Sequence, residues 1–230
     1  MRNTSSTALW DGVKRALPIV LGYVPVAFAF GVLAVKNAIP PGLAIAMSVF
    51  LFAGSGQFVA VRGAGVGAAS VVLTVFVVNL RHLLMSASLA PYLKPMTRLQ
   101  KFFFGYELTD ETFGVHSTAF QRGWTLVVPT LYACNVTAHA SWIGGTVAGV
   151  FFGGLIADVK PLGLDYALTA MFLALLVPQC RSRLHVLVAL AGATLSVGLS
   201  LAGVGQWNVV VATVPAAALG AALQTREKAA

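Results

Sequence analysis

Few side chains in this sequence are equipped for chemistry, and those few sit among apolar residues. The run Phe52-Ala53-Gly54-Ser55-Gly56-Gln57-Phe58 sets two glycines around a serine and follows them with a glutamine. Such glycines weaken a helix and free backbone groups, which at membrane depth are tolerated only beside a cavity or inside protein. Gln57 adds a donor and an acceptor, so the segment suits coordination of amino and carboxylate groups. In Asn79-Leu80-Arg81-His82, Asn79 and His82 share a helix face and Arg81 points elsewhere. Arg81 is suited to grip a carboxylate through two N–H groups, and His82 to exchange a proton near neutral pH. In Leu108-Thr109-Asp110-Glu111, Thr109 is the expected cap of a helix that begins at Asp110, because acids are favourable in a first turn. Glu107, Asp110 and Glu111 are three of the chain's seven acids, a density that suits proton carriage or pairing with Arg81. Lesser candidates are Asn135 and His139, four apart on one face, and Gln179 after Pro178. His116, His185 and Asp165 read as interface or loop residues.

Each cluster also has a plainer reading. Gly54 and Gly56 serve equally well for close helix packing. Arg81 fits a helix end from which it snorkels to a lipid headgroup. The acids fit a solvated loop before a helix, and Asn135 and His139 fit simple bonds to a neighbouring helix. Bond-making chemistry has no footing. G-x-S-x-G is replaced by Gly54-Ser55-Gly56, and H-E-x-x-H, a Walker A loop and C-x-x-C do not occur. The sequence is not that of an enzyme, and nothing in it calls for a metal or cofactor.

The elements that must position these residues are membrane helices. Of 230 residues, 58% are apolar and 10% charged, and mean hydropathy is +0.84. A soluble domain carries about 25% charge to keep its surface solvated. The partner implied is a lipid bilayer. The net charge of +8 is spread singly or in pairs between apolar runs, as membrane topology demands and nucleic-acid binding does not. Cys134 and Cys180 match no metal spacing. Candidate spans are residues 16–35, 42–61, 63–80 continuing past Arg81-His82 to 93, 161–179, 184–205 and 207–223. The uncharged stretch 123–157 is 35 residues long, too long for one crossing, so a break is expected near Gly144-Gly145. Residues 16–35 read as a retained helix, being too long for a signal-peptide core and holding Pro18 and Pro25. The fold class is all-α, a polytopic membrane protein of about six to eight helices, some broken.

Laying residues 31–58 on 153–180, an offset of 122, superposes Gly31, Leu33, Phe50, Leu51 and Gln57 on Gly153, Leu155, Phe172, Leu173 and Gln179. Gly22 and Phe30 fall on Gly144 and Phe152. Internal duplication with a substrate site at the repeat interface is a common transporter plan. The expected layout is a cytoplasmic segment 1–15, one membrane domain 16–224 and a tail 225–230. Within the domain, repeats of about 16–101 and 138–224 flank a linker of about 102–137. Basic clusters at 2–15, 94–101, 181–183 and 226–228, if cytoplasmic, put both termini inside and make the repeats parallel, whereas a single crossing within 102–137 would invert them.

Several of these runs together resemble the AzlC-type family. They are Gly22-Tyr23-Val24-Pro25 with Phe30-Gly31, Phe52 to Phe58, Asn79-Leu80-Arg81-His82-Leu83-Leu84-Met85-Ser86-Ala87-Ser88-Leu89 and Leu108-Thr109-Asp110-Glu111. Gly163-Leu164-Asp165 and Leu176-Val177-Pro178-Gln179 extend the likeness over nearly the whole chain. Gly54-Ser55-Gly56 varies the commoner G-A-S-Q or G-S-A-Q pattern. The resemblance implies the large subunit of a bacterial branched-chain amino acid exporter in the inner membrane. Such proteins export leucine, isoleucine, valine and sometimes methionine or analogues on the proton gradient, with a small four-helix AzlD-type membrane subunit. On this reading the substrate-binding residues are Gly54, Ser55, Gly56, Gln57, Asn79, Arg81 and Gln179, and proton coupling uses Asp110 or Glu111 with His82 as relay. Phe50, Phe58 or Phe172 would receive the branched side chain. A passive channel for small polar solutes and a non-transporting scaffold subunit are the other readings.

Overall fold

The structure is a computed structural model that describes residues 4–63, 67–156, 182–204 and 208–229, with single positions between 157 and 181. Among the described residues it is all-α. The helices are α1 (Thr4–Lys36), α2 (Pro41–Phe50), α3 (Gly54–Arg62), α4 (Ala68–Leu89), α5 (Arg98–Tyr106), α6 (Asp110–Gln121), α7 (Val128–Phe152), α8 (Arg183–Leu201) and α9 (Asn208–Ala229). Short 3-10 turns at Ala90–Leu93 and Gly153–Leu155 extend α4 and α7. Ser6–Lys36, Ala68–Leu93 and Arg183–Leu201 are each long and apolar enough to cross a bilayer. The 25 residues of α7 include no Asp, Glu, Lys or Arg and match them in length. The chain divides into two compact units, Met1–Phe172 and Leu173–Ala230.

The first unit is built on α1 and α7. Its α1 buries Ala16, Ile19, Tyr23, Ala27, Phe30 and Ala34, a stripe spaced by threes and fours that faces the interior of the unit. Thr130 donates to the Ala8 carbonyl at 3.0 Å, and Tyr23 lies against Trp142 with ring centroids 5.2 Å apart. A Cβ on Gly145 would stand 2.8 Å from that of Ala27, and one on Gly153 3.2 Å from Val32 Cα. Residue numbers rise together along both helices, so α1 and α7 run parallel, close to the offset of the sequence repeat. The break expected near Gly144-Gly145 does not form. Instead Gly145 and Gly149 admit the α1 backbone, and a Cβ on Gly149 would overlap the Phe28 carbonyl. Glycine weakens a lone helix, but here it brings two backbones into contact, which is the stronger effect in lipid.

Residues 42–61, expected to cross, form a hairpin instead. Its first arm, α2, leaves the far end of α1 and descends until the Ser48 carbonyl meets His139 at 2.9 Å. Phe52 then adopts φ +35°, a left-handed backbone that costs a bulky residue about 1–3 kcal/mol, and the chain reverses. The returning arm, α3, places Phe58 against Phe30 at 5.6 Å between centroids. Next, α4 runs antiparallel to α3: Ser55 meets Arg81 at 2.8 Å, and a Cβ on Gly63 would stand 2.5 Å from Val71 Cγ2.

A second hairpin rises from the opposite end. Tyr132 on α7 donates to the Gln100 carbonyl on α5, and α5 climbs until Tyr106 donates to the carbonyls of Val49 and Phe50 at 3.0 and 3.1 Å. Thr109 turns the chain, and α6 descends. Its Asp110 lies at Arg81, its His116 at Asn135, and its Phe120 stacks on Tyr92 at 4.8 Å. Phe104, Leu108, Phe120, Leu131, Leu89 and Leu93 form an apolar cluster beneath it. Residues 102–137, read as a linker, thus hold most of this hairpin and the start of α7.

In the second unit α8 and α9 pack antiparallel, since a Cβ on Gly192 would stand 3.4 Å from that of Ala216 and one on Gly220 3.1 Å from Val188. Ser182 caps α8 by accepting from the His185 amide at 3.3 Å.

Candidate functional site

The two hairpin tips meet beside α4, α7 and Tyr23 of α1. Thr109 caps α6 as expected: its hydroxyl accepts from the Thr112 amide, and the Thr112 hydroxyl accepts in return from the Thr109 amide at 2.8 Å. This closes a capping box and directs the first-turn amides and Asp110 towards α4. Among the described residues no side chain caps α3. Its N–H groups at Gly54, Ser55 and Gly56 precede the first helical bond, made by the Gln57 amide to the Ala53 carbonyl at 2.9 Å.

Arg81 joins the two helix starts. Its Nη2 donates to Ser55 Oγ at 2.8 Å and to Asp110 Oδ2 at 2.9 Å. The pair is partly shielded, with side-chain exposures of 29% and 16%. From Arg81, α3 runs towards one end of α4 and α6 towards the other. The positive ends of two helix dipoles therefore converge on one guanidinium from opposite sides. Arg81 does not snorkel. Asn79 lies beneath, its Nδ2 3.4 Å from where a Cβ on Gly56 would stand, while Asn79 Oδ1 and Arg81 Nε are buried without a hydrogen-bond partner among the described residues. His82 donates from Nδ1 to the Asn79 carbonyl at 3.2 Å and so serves its own helix.

Gln57 is fully buried. It donates to Ser48 Oγ at 2.9 Å and accepts from Trp142 Nε1 at 2.9 Å. Ser48 Oγ in turn bonds Thr146 at 2.7 Å. The Gln57 oxygen thus ties the first hairpin to α7 directly, and its nitrogen joins the two arms at Ser48, which itself reaches α7 through Thr146. Gly54 is needed for this seam, because a Cβ there would stand 2.7 Å from Trp142 Cη2. Tyr23 donates to Glu111 at 2.6 Å and lies 2.7 Å from the Thr109 hydroxyl, fixing the second tip to α1. His139 faces Glu107 through Nδ1 at 2.9 and 3.1 Å and the Ser48 carbonyl through Nε2 at 2.9 Å.

The structure therefore gathers Gly54, Ser55, Gly56, Gln57, Asn79, Arg81, Asp110 and Glu111 around one locus, with His82 next to Arg81 but turned to the Asn79 carbonyl of its own helix. Gln179 and Phe172 lie outside the described residues. Phe58 is buried in the core against Phe30 and Phe50 is exposed, so neither forms a side-chain rest at Arg81, contrary to expectation. Glu107, expected with its neighbouring acids to carry protons or pair with Arg81, faces His139 instead. Tyr23, Ser48, Trp142 and Thr146 enter the network although no separate role was expected of them from sequence. Their signal was a polar or aromatic group inside an apolar run, which is faint one residue at a time.

A helical scaffold entered from opposite ends by two hairpins, with polar tips meeting midway, defines a polytopic membrane protein with an internal polar site. Residues 18–156 match the AzlC protein family. The chain is 33% identical over 220 residues to the inner membrane protein YgaZ of Escherichia coli K12, covering 90% of this chain and 85% of that one. It is 30% identical over 217 residues to an uncharacterized membrane protein of Archaeoglobus fulgidus, covering 93% and 95%. A 28% identity over 214 residues links it to the branched-chain amino acid transport protein AzlC of Bacillus subtilis, covering 87% and 81%. No solved structure matches it significantly. The chain belongs to the AzlC family.

Proposed function

We propose that this chain is the large subunit of a secondary active exporter of branched-chain amino acids, leucine, isoleucine and valine with methionine or analogues, in the cytoplasmic membrane. On this reading it is driven by the proton gradient and works with a small AzlD-type membrane subunit. The likeness to the Bacillus subtilis transport protein supports the substrate class.

The observation that carries the reading is the convergence of α3 and α6 on the Arg81–Asp110 pair. An ion pair of unit charges is the complement of a zwitterion. The substrate carboxylate takes the place of Asp110 at Arg81 and at the free amides of Gly54, Ser55 and Gly56, where two helix dipoles favour a negative charge. The substrate ammonium is received by Asp110 and by Asn79 Oδ1. No net charge enters the membrane interior in the exchange, which avoids the cost of a lone charge there, about 2.5–3.5 kcal/mol or more. Gln57 holds the first tip in register from behind, and Gln179 remains a candidate through its match in the repeat. An apolar pocket discriminates one methylene by only about 1–3 kcal/mol, so several aliphatic amino acids are accepted.

Efflux from cells preloaded with leucine, isoleucine, valine or methionine by dipeptide feeding tests this. The chain is expressed alone, with its small partner, and with an uncoupler. Uncoupler-sensitive efflux against a gradient that needs both chains is expected. Downhill flux indifferent to the uncoupler would mean a channel, and no efflux of any of the four would refute the substrate class.

A further inference from the structure

Glu107, His139 and the Ser48 carbonyl form a group that the substrate site does not use. His139 sits on α7, Glu107 at the tip of the second hairpin and Ser48 on α2 of the first. The Phe52 ring stacks on the imidazole at 3.9 Å between centroids and 17° between planes. The side chains of His139 and Glu107 are 11% and 15% exposed.

Donor counting decides the state of this group. The Ser48 carbonyl only accepts, so His139 Nε2 must carry a hydrogen to make the 2.9 Å contact. Nδ1 faces both Glu107 oxygens, at 2.9 and 3.1 Å. An ionised carboxylate also only accepts. A neutral imidazole has one N–H and here meets two acceptors, so the arrangement closes only if the pair holds one further proton, on Nδ1 or on the carboxyl. Remove it, and the Nδ1 lone pair confronts the carboxylate lone pairs, or the remaining hydrogen shifts to Nδ1 and the Ser48 contact is lost. Either way one hairpin tip is released from α7.

We infer that Glu107 and His139 bind the transported proton and act as a latch that joins the two hairpin tips to α7 while the proton is held. This rests on the exporter reading above and adds to it where the proton binds. Asp110 is engaged by Arg81 and Glu111 by Tyr23, whereas the Glu107–His139 contact exists only by virtue of a proton. Leucine entering at Arg81 parts the tips, and the pair gives its proton to water; no other bond is made or broken. The proton is regained from the opposite side once leucine has left. The ionisable groups around the pair are Tyr106 on α5, which donates to Val49 and Phe50, and, across the Phe52 ring, Tyr23 on α1 with Glu111 on α6.

The test is the number of protons released when leucine binds to the purified complex, measured by calorimetry in two buffers of different ionisation enthalpy. The wild type is expected to release about one proton per leucine, and Glu107→Gln about none while still binding leucine, because the glutamine amide satisfies the imidazole without a titrating proton. His139→Gln carries the same test should Glu107→Gln not accumulate. Wild-type binding without proton release, or unchanged release from these variants, overturns the latch. If the wild type binds no leucine, the exporter reading fails instead. The latch is then read from the infrared carboxyl band during a pH titration without substrate: a titrating band lost in Glu107→Gln supports it, and a band unaltered by that change refutes it.

Discussion

Ser55 and Asp110 meet the same nitrogen, Nη2 of Arg81, at 2.8 and 2.9 Å. One belongs to the first turn of α3 and the other to the first turn of α6, helices that run from this point towards opposite ends of α4. A single cation on a membrane-spanning helix thus joins two hairpins that enter from opposite sides.

Removing that cation should harm folding and transport separately. Arg81→Ala leaves Asp110 shielded and unpaired, a change that destabilises by about 3–5 kcal/mol in buried pairs. Thermal unfolding of the detergent-solubilised protein should show the loss, and Arg81→Gln with Asp110→Asn should restore most of the stability. Leucine efflux should stay absent in both. Efflux by the double variant would remove Arg81 and Asp110 from the substrate site.

The α1–α7 seam predicts a contrast between two glycines on one helix. Gly149→Ala would drive a methyl into the Phe28 carbonyl, whereas a Cβ on Gly144 meets nothing within 4 Å. The first change should cost about 1–3 kcal/mol through overpacking, and the second should leave stability within about 1 kcal/mol of the parent. Equal melting temperatures for the two variants would contradict the packing.

Topology can be read with single cysteines in a Cys134→Ala, Cys180→Ala background. If residues 41–62 form a hairpin, cysteines at Asn37 and Gly67 label from one side of the membrane. If residues 98–121 form another, cysteines at Lys94 and Gln121 label together from the other side. A crossing at either place would split its pair.

Gly54→Ala should disturb the first tip without touching a charge. The added methyl would stand 2.7 Å from Trp142 Cη2, so the indole must shift and its bond to Gln57 must stretch. A changed Trp142 emission, measured against a Trp142→Phe control, and reduced efflux are expected. An unchanged spectrum would show that the seam yields freely.

What could be read from sequence followed the range of the interaction responsible. Thr109 was legible as a cap because its partner is three residues away and the chemistry is local. Arg81 could be matched with the acids near 110 because unpaired charges in an apolar setting are costly and few. Residues 42–61 looked like a crossing because length and hydropathy do not record direction, and the reversal depends on a strained Phe52 held between His139 and Tyr23. Gly144-Gly145 looked like a break because glycine has two opposed uses, and only the position of α1 decides between them. His139 looked ordinary because its partners, Glu107 and Ser48, are 32 and 91 residues away.

The parallel seam of α1 and α7 has a consequence for how the protein is made. Residues 41–62, α4 and residues 98–121 all emerge from the ribosome before α7 exists. Until Val128–Phe152 is synthesised, Tyr23, Gln57, Ser48 and Glu107 lack the partners that Trp142, Thr146 and His139 supply. Closure over such sequence separations is slow compared with local helix formation. The hairpins are therefore made before the helix that satisfies them, and α7 acts as the keystone whose arrival sets the others in place.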